Sequence, residues 1–193
     1  MFIKITKPFF RFIALILYRV KKINEDNIPK EGPVILCGNH VHGLDAPVVI
    51  VCTKRHVKYM AKIELFKNKS LAFLMNKYGT FAVRRGTLDR ESLKNAFEVI
   101  EEGNILGMFP EGTRKGIDKK VKIKNGAAYI ASLTGVPIVP VGIIGSFKPF
   151  TKVVLKYGKP ISVIKFDGDK PDKEILDQIS LKIMEAIQAE LTT

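Results

Sequence analysis

Six apolar runs, each five to eight residues long, punctuate this chain and limit what it can become. They are VILCGNH (34–40), VKYMA (57–61), TFAVR (80–84), NILGMF (104–109), PIVPVGII (137–144) and KVVLKYG (152–158). Runs of this length read as strands, because helices usually need ten or more residues. Helical patterns lie between them. Two are short, Ala46 to Thr53 and Ser70 to Tyr78. Asp89 to Glu102 is stronger: Leu93, Ala96, Phe97 and Ile100 share a face, and Gly103 supplies the stop. Asn125 to Thr134 ends at Gly135 and Pro137, and the last helix, from about Pro171, aligns Ile175, Ile179, Ile183, Ile187 and Leu191 at i+4 spacing. Strands alternating with helices predict an α/β fold, a mixed and mostly parallel sheet flanked by helices. A chain of 193 residues is enough for one such domain.

The first 24 residues break that pattern. MFIKITKPFFRFIALILYRVKK carries Lys4, Lys7, Arg11, Arg19, Lys21 and Lys22 and no acid. Its longest uncharged apolar run, FIALILY (12–18), is far shorter than the ~20 residues of a spanning helix. No small-residue cleavage site follows, so a signal peptide is not expected. The composition fits a basic amphipathic segment lying in the interface of a membrane, with Lys and Arg reaching lipid phosphates. The alternative is a helix packed on the domain's own core. The expected division is 1–24 as a membrane-interface segment and 25–193 as the domain proper.

Charge sharpens the choice of partner. The formal net charge is +13. From Lys165 onward 4 Lys+Arg face 7 Asp+Glu, so the tail carries −3 and the rest of the chain +16. Arg114 to Lys124 forms a second basic cluster, six basic residues and one aspartate. Such a field favours a polyanion: nucleic acid, an anionic membrane surface or a phosphorylated substrate. Neither interleaved base-stacking aromatics nor a helix-turn-helix is present, so no nucleic acid is expected as partner. Cys37 and Cys52 sit in apolar runs and read as buried free thiols.

The stretch CGNHVHGLDAP (37–47) admits three chemistries. A metal is not expected. The chain has only His40, His42 and His56, no C-x-x-C, and too few other ligands to complete a shell. The second reading pairs a base with its orienting carboxylate. His40 ends a strand and Ala46-Pro47 opens a helix, so His40 and Asp45 can meet across the turn. The third makes Asp45 a helix cap and His40 an ordinary loop histidine. From this stretch alone the last two stand level.

Three further stretches follow in order: GTFAVRR (79–85), FPEGTR (109–114) and VPIVPV (136–141). With NHVHGLD they resemble the four motifs of the glycerolipid acyltransferases, the family of 1-acylglycerol-3-phosphate (lysophosphatidate) acyltransferase, over about 32–141. MAKIEL (60–65) resembles that family's lysine-containing stretch. Lys115 and Arg84 depart from it, and both add positive charge.

The resemblance implies transfer of a fatty acyl group from an acyl thioester to the sn-2 hydroxyl of 1-acylglycerol 3-phosphate, giving phosphatidate. The donor would be acyl-CoA or acyl carrier protein, with no cofactor and no covalent intermediate. It implies His40 as general base and Asp45 as its support. Lys62, Arg85 and Arg114 would hold phosphate, Gly112 would allow close backbone approach, and Thr113 would donate to the anion. Glu111, ill-suited to an anion site, would fix a neighbouring arginine or the loop backbone. VPIVPV would shape an acyl-chain wall, His42 would stand by, and Lys124 reads as solvated loop. Rival readings keep the chemistry with glycerol 3-phosphate or another lysophospholipid as acceptor, or make the chain a non-catalytic module for anionic lipid. The expected location is the cytoplasmic face of the cell membrane, monotopic or peripheral.

Overall fold

In a computed structural model of the chain, residues 2–84, 90–112, 123–168 and 171–192 are described. Every apolar run contains a strand: β2 Val34–Gly38, β3 Val57–Lys62, β4 Phe81–Val83, β5 Ile105–Met108, β6 Ile138–Gly145 and β7 Val153–Tyr157. The helical patterns become α2 Asp45–Cys52, α3 Lys69–Lys77, α4 Arg90–Glu101, α5 Gly126–Thr134 and α6 Lys173–Leu191. Ends move by one or two residues, and the expected start of α4 at Asp89 lies outside the described residues. The N-terminal segment supplies α1 Phe2–Tyr18 and an unforeseen strand, β1 Lys21–Ile23. KKI has no apolar pattern of its own. It becomes a strand by pairing with β7, Lys21 opposite Val154.

The seven strands run in the order β1-β7-β6-β2-β5-β3-β4. All neighbours are parallel except β6 and β7, which form an antiparallel hairpin. This is the mixed, mostly parallel sheet the alternation predicts. β2 lies at the centre, buried at all five positions, as a strand covered on both faces should be. Its side chains alternate between two cores. Leu36 joins Val139, Val141 and Leu155 on the face covered by α1 and α2, while Ile35 joins Leu106 and Ile138 on the face covered by α4, α5 and α6. Both cysteines are free and buried, and burial pushes their thiols up, Cys37 to about 12 and Cys52 to about 11.

α1 has two unlike faces, one packed on the domain and one exposed. Inward, Ala14 is buried and Phe2, Ile3, Phe10 and Tyr18 pack on the core. The Lys7 ammonium donates to the Arg55 carbonyl (3.0 Å), and the Thr6 and Tyr78 hydroxyls share a hydrogen bond (2.9 Å). Outward, Ile5, Phe9 and Phe12 are each 60% exposed or more, with Leu15 and Ile16 continuing the stripe. A helix lying on a domain normally turns polar residues to water; apart from Lys4, this one exposes apolar residues.

Candidate active site

The site gathers at the carboxyl ends of β2, β3 and β5, where ligands bind in sheets of this kind. β2 ends at Gly38, and Asn39 then locks the chain in place. Its amide donates to the Ile143 carbonyl (2.9 Å) and accepts from the Ile143 N–H (2.7 Å). This double bond to neighbouring β6 fixes the direction in which His40 leaves the sheet.

The His40 Nδ1 and Asp45 Oδ2 atoms are 2.8 Å apart. The same oxygen accepts the backbone N–H of Val41 (2.8 Å) and of His42 (2.7 Å). Asp45 is the first residue of α2 and fully buried, and among the described residues its side chain bonds only to His40, Val41 and His42, through Oδ2. The carboxylate therefore serves the loop before the helix, not the helix end. With Oδ2 as acceptor, the neutral imidazole carries its proton on Nδ1 and its lone pair on Nε2. The two residues are five apart, and the turn folds one over the other.

Two side chains from the turn after β5 complete the setting. The Phe109 ring lies on the imidazole, centroids 4.1 Å apart, and Tyr59 stacks behind Phe109 at 5.2 Å. Glu111, only 1% exposed, accepts the His40 backbone N–H through Oε1 (3.3 Å). Its Oε2 is buried and has no hydrogen-bond partner among the described residues. Burial pushes this carboxyl up to about 7; the His40 N–H pulls it down and the nearby Asp45 charge pushes it up further. Gly112 follows at φ +64, a left-handed conformation that suits glycine.

Lys62 ends β3 on the cavity wall, its ammonium 3.0 Å from Glu64. Lys124, expected as plain solvated loop, is exposed, yet its stem lies against Gly112 and its N–H donates to the Pro110 carbonyl (3.0 Å). The structure thus brings His40, Asp45, Lys62, Glu111 and Gly112 to one end of the sheet. Arg85, Thr113 and Arg114 lie outside the described residues. Phe109 and Asn39 had no role assigned from sequence. Both stand inside the quoted motifs, and that adjacency was the available signal.

A cavity of about 620 Å³ opens beside His40 and runs beneath α1 toward Tyr78. Its walls are apolar, built from Ile13 and Leu17 of α1, Ile50 of α2, and Leu74 and Met75 of α3. The size suits a small-molecule or lipid-chain site. His42 takes a different partner, stacking on Phe147 at 4.9 Å. Among the described residues no three His, Cys, Asp or Glu side chains gather as a metal site.

Comparison with known proteins gives consistent results. A family model described as Acyltransferase matches residues 19–144. The "1-acyl-sn-glycerol-3-phosphate acyltransferase" of Bacillus subtilis is 33% identical over 164 residues, covering 81% of this chain and 80% of that protein. The protein of the same name from Borreliella burgdorferi is 31% identical over 148 residues, 74% of this chain and 59% of its own length. This chain therefore spans less than two thirds of the Borreliella protein. Among solved structures, that of the 1-acyl-sn-glycerophosphate (LPA) acyltransferase PlsC from Thermotoga maritima superposes with a TM-score of 0.67 at 27% identity, over 99% of this chain and 81% of that one.

Proposed function

This chain belongs to the acyltransferase family, and on that premise we propose that it acylates the sn-2 hydroxyl of 1-acylglycerol 3-phosphate from an acyl thioester, releasing phosphatidate. The observation that carries the mechanism is the 2.8 Å contact between His40 Nδ1 and Asp45 Oδ2 beside an apolar cavity. In this reading Nε2 takes the acceptor hydroxyl's proton as its oxygen attacks the thioester carbonyl. The tetrahedral adduct collapses, the C–S bond breaks, and the imidazolium returns the proton to the departing thiolate. Asp45 supports the imidazolium while it lasts. Base catalysis of this type is worth about 10²–10⁴-fold, and holding two substrates in register adds more.

The cavity takes the acyl chain, whose apolar surface matches the walls beneath α1. The acceptor phosphate is held by Lys62, Arg85 and Arg114, with Thr113 donating to it, in a field to which Lys124 adds. Glu111 acts on the backbone of the His40 loop, one of the two roles its sequence allows. The donor is the thioester of coenzyme A or of acyl carrier protein.

The enzyme works at the cytoplasmic face of the cell membrane, bound to an anionic bilayer through the outer face of α1. Two facts support this: the apolar stripe from Ile5 to Ile16, and Lys4 and Arg19 exposed at either end of it. No described helix is long and apolar enough to cross a membrane.

The test is transfer of labelled palmitate from coenzyme A and from acyl carrier protein, with lysophosphatidate and glycerol 3-phosphate offered side by side. Product from lysophosphatidate that is lost in His40→Ala supports the reading. Product from glycerol 3-phosphate alone keeps the chemistry and moves the acceptor. No product from a folded, vesicle-bound protein overturns it.

A further inference from the structure

The loop joining β6 to β7 holds a phenylalanine where none is expected. Phe150 in SFKPFTK (146–152) has φ +65, the left-handed region that non-glycine residues seldom enter and bulky ones least of all. It is also 68% exposed. Nothing in the loop's own sequence offsets that conformation, yet the surroundings enforce it. The Phe150 N–H donates to the Leu17 carbonyl (2.6 Å), in the last turn of α1 where carbonyls lack helical partners. The Thr151 hydroxyl donates to the Ser146 and Lys148 carbonyls, closing the loop on itself. Phe147 points inward between Tyr18 (5.4 Å) and His42 (4.9 Å). The hairpin is thereby fastened to α1 and to the His40 loop, with one aromatic ring turned in and the other out.

The charge around the outward ring has one sign. Lys148 and Lys152 flank it and are exposed. β1 runs parallel to β7 with Lys21 opposite Val154, which brings exposed Arg19 and Lys21 to the same end of the sheet. No acidic residue occurs between Asp118 and Asp167. The Leu17 carbonyl that Phe150 meets is next to Ile16, the last residue of the apolar outer stripe of α1.

We propose that the β6–β7 hairpin is a second membrane anchor, with Phe150 entering the interface of an anionic bilayer while Lys148 and Lys152 meet its lipid phosphates. This rests on the bilayer reading above and adds a point of contact to it. An exposed aromatic among cations is the pattern of interfacial anchoring, and two anchors separated along α1 fix an orientation where one allows rocking. Because Phe147 packs on His42, docking the hairpin holds the mouth of the site against the lipid from which the acceptor comes.

The chain contains no tryptophan, so one introduced indole reports on one place. Phe150→Trp puts it at the hairpin tip, and Ile164→Trp, at a position 92% exposed, serves as control. Ile164 belongs to the segment that hydrogen-bonds α5 through Phe166, on the other side of the sheet. Phosphatidylglycerol vesicles should shift Phe150→Trp emission to the blue and leave Ile164→Trp unchanged. Phe150→Asn, which keeps a residue at ease in the left-handed region, should pellet about tenfold less with those vesicles. Lys148→Gln with Lys152→Gln should cost about fivefold per lysine and spare what binding there is to phosphatidylcholine. If the protein pellets with anionic vesicles while Phe150→Trp emission stays put, or if Phe150→Asn pellets like the parent, α1 is the anchor and the hairpin is not. A parent protein that pellets with neither vesicle overturns the bilayer reading and this proposal together.

Discussion

The ring of Phe109 lies flat on the imidazole of His40, the two planes 8° from parallel. Asp45 fixes which nitrogen of that imidazole is protonated; Phe109 fixes how the ring is turned, and Tyr59 backs it from behind. Tautomer and orientation are thus held by different residues. In the proposed mechanism, an aromatic face would also favour the imidazolium formed when His40 takes the proton.

Phe109→Leu keeps most of the volume and loses the stack. Aromatic pairs are worth ~0.5–1.5 kcal/mol beyond their burial, so kcat should fall about three- to tenfold with KM for both substrates little changed. Steady-state kinetics on each substrate separates the two parameters. A rise in KM alone would place Phe109 in binding instead.

His40→Ala should lower kcat by about 10²–10⁴ and leave the circular dichroism spectrum unaltered, since the imidazole sits at the edge of the core. Asp45→Asn should fall nearly as far, because the amide can donate to Nδ1 and leave the wrong tautomer at Nε2. Single-turnover rates at saturating donor measure both.

Glu111 makes stability depend on pH in an unusual direction. Its carboxyl titrates near its ordinary value, 4.5, in the unfolded chain and at about 7 in the fold. Between those values the folded state binds more protons, so this group's contribution falls as pH rises through that window and stays low above it. The full loss is about 3 kcal/mol. Glu111→Gln keeps an acceptor for the His40 N–H and cannot ionise. Urea midpoints should therefore put it above the parent at pH 8 and converge with the parent near pH 4.5.

Gly107 in β5 exists to seat Tyr59. A Cβ there would come within 2.5 Å of the fully buried Tyr59 ring, which would have to shift. Gly107→Ala should cost about 1–3 kcal/mol of stability and reduce kcat as well, the displaced ring pushing Phe109 off His40. Tyr59→Phe is the contrast. The Tyr59 hydroxyl is buried with no hydrogen-bond partner among the described residues, so removing it should leave activity intact and stability equal or higher by about 1 kcal/mol.

Leu74 lines the cavity below α1. Leu74→Trp should shift donor preference toward shorter acyl chains. Each methylene denied burial is worth ~0.8 kcal/mol, or about fourfold in kcat/KM. A donor series from eight to eighteen carbons reads the shift, and an unchanged profile would put the chain elsewhere.

The sequence by itself determined everything that depends on neighbours along the chain. Apolar runs of strand length alternating with periodic helices specify the α/β class, because those periods are set by backbone geometry within a few residues. The meeting of His40 and Asp45 belongs here in part: five residues on a strand–turn–helix link allow it beside a helix-cap reading, and the folded turn chooses it. The quoted motifs carried the family for the same reason, being contiguous.

Tertiary structure decided what came from far along the chain. Asn39 bonds Ile143, 104 residues on, and Glu111 holds the His40 N–H from 71 residues away. Both follow from β2 lying between β6 and β5, an order that no local pattern encodes. KKI became β1 only because the edge of β7 was there to pair with. The two apolar sides of α1 read identically in sequence. One packs on α2 and the other meets none of the described residues, and only the assembled sheet distinguishes the buried face from the exposed one.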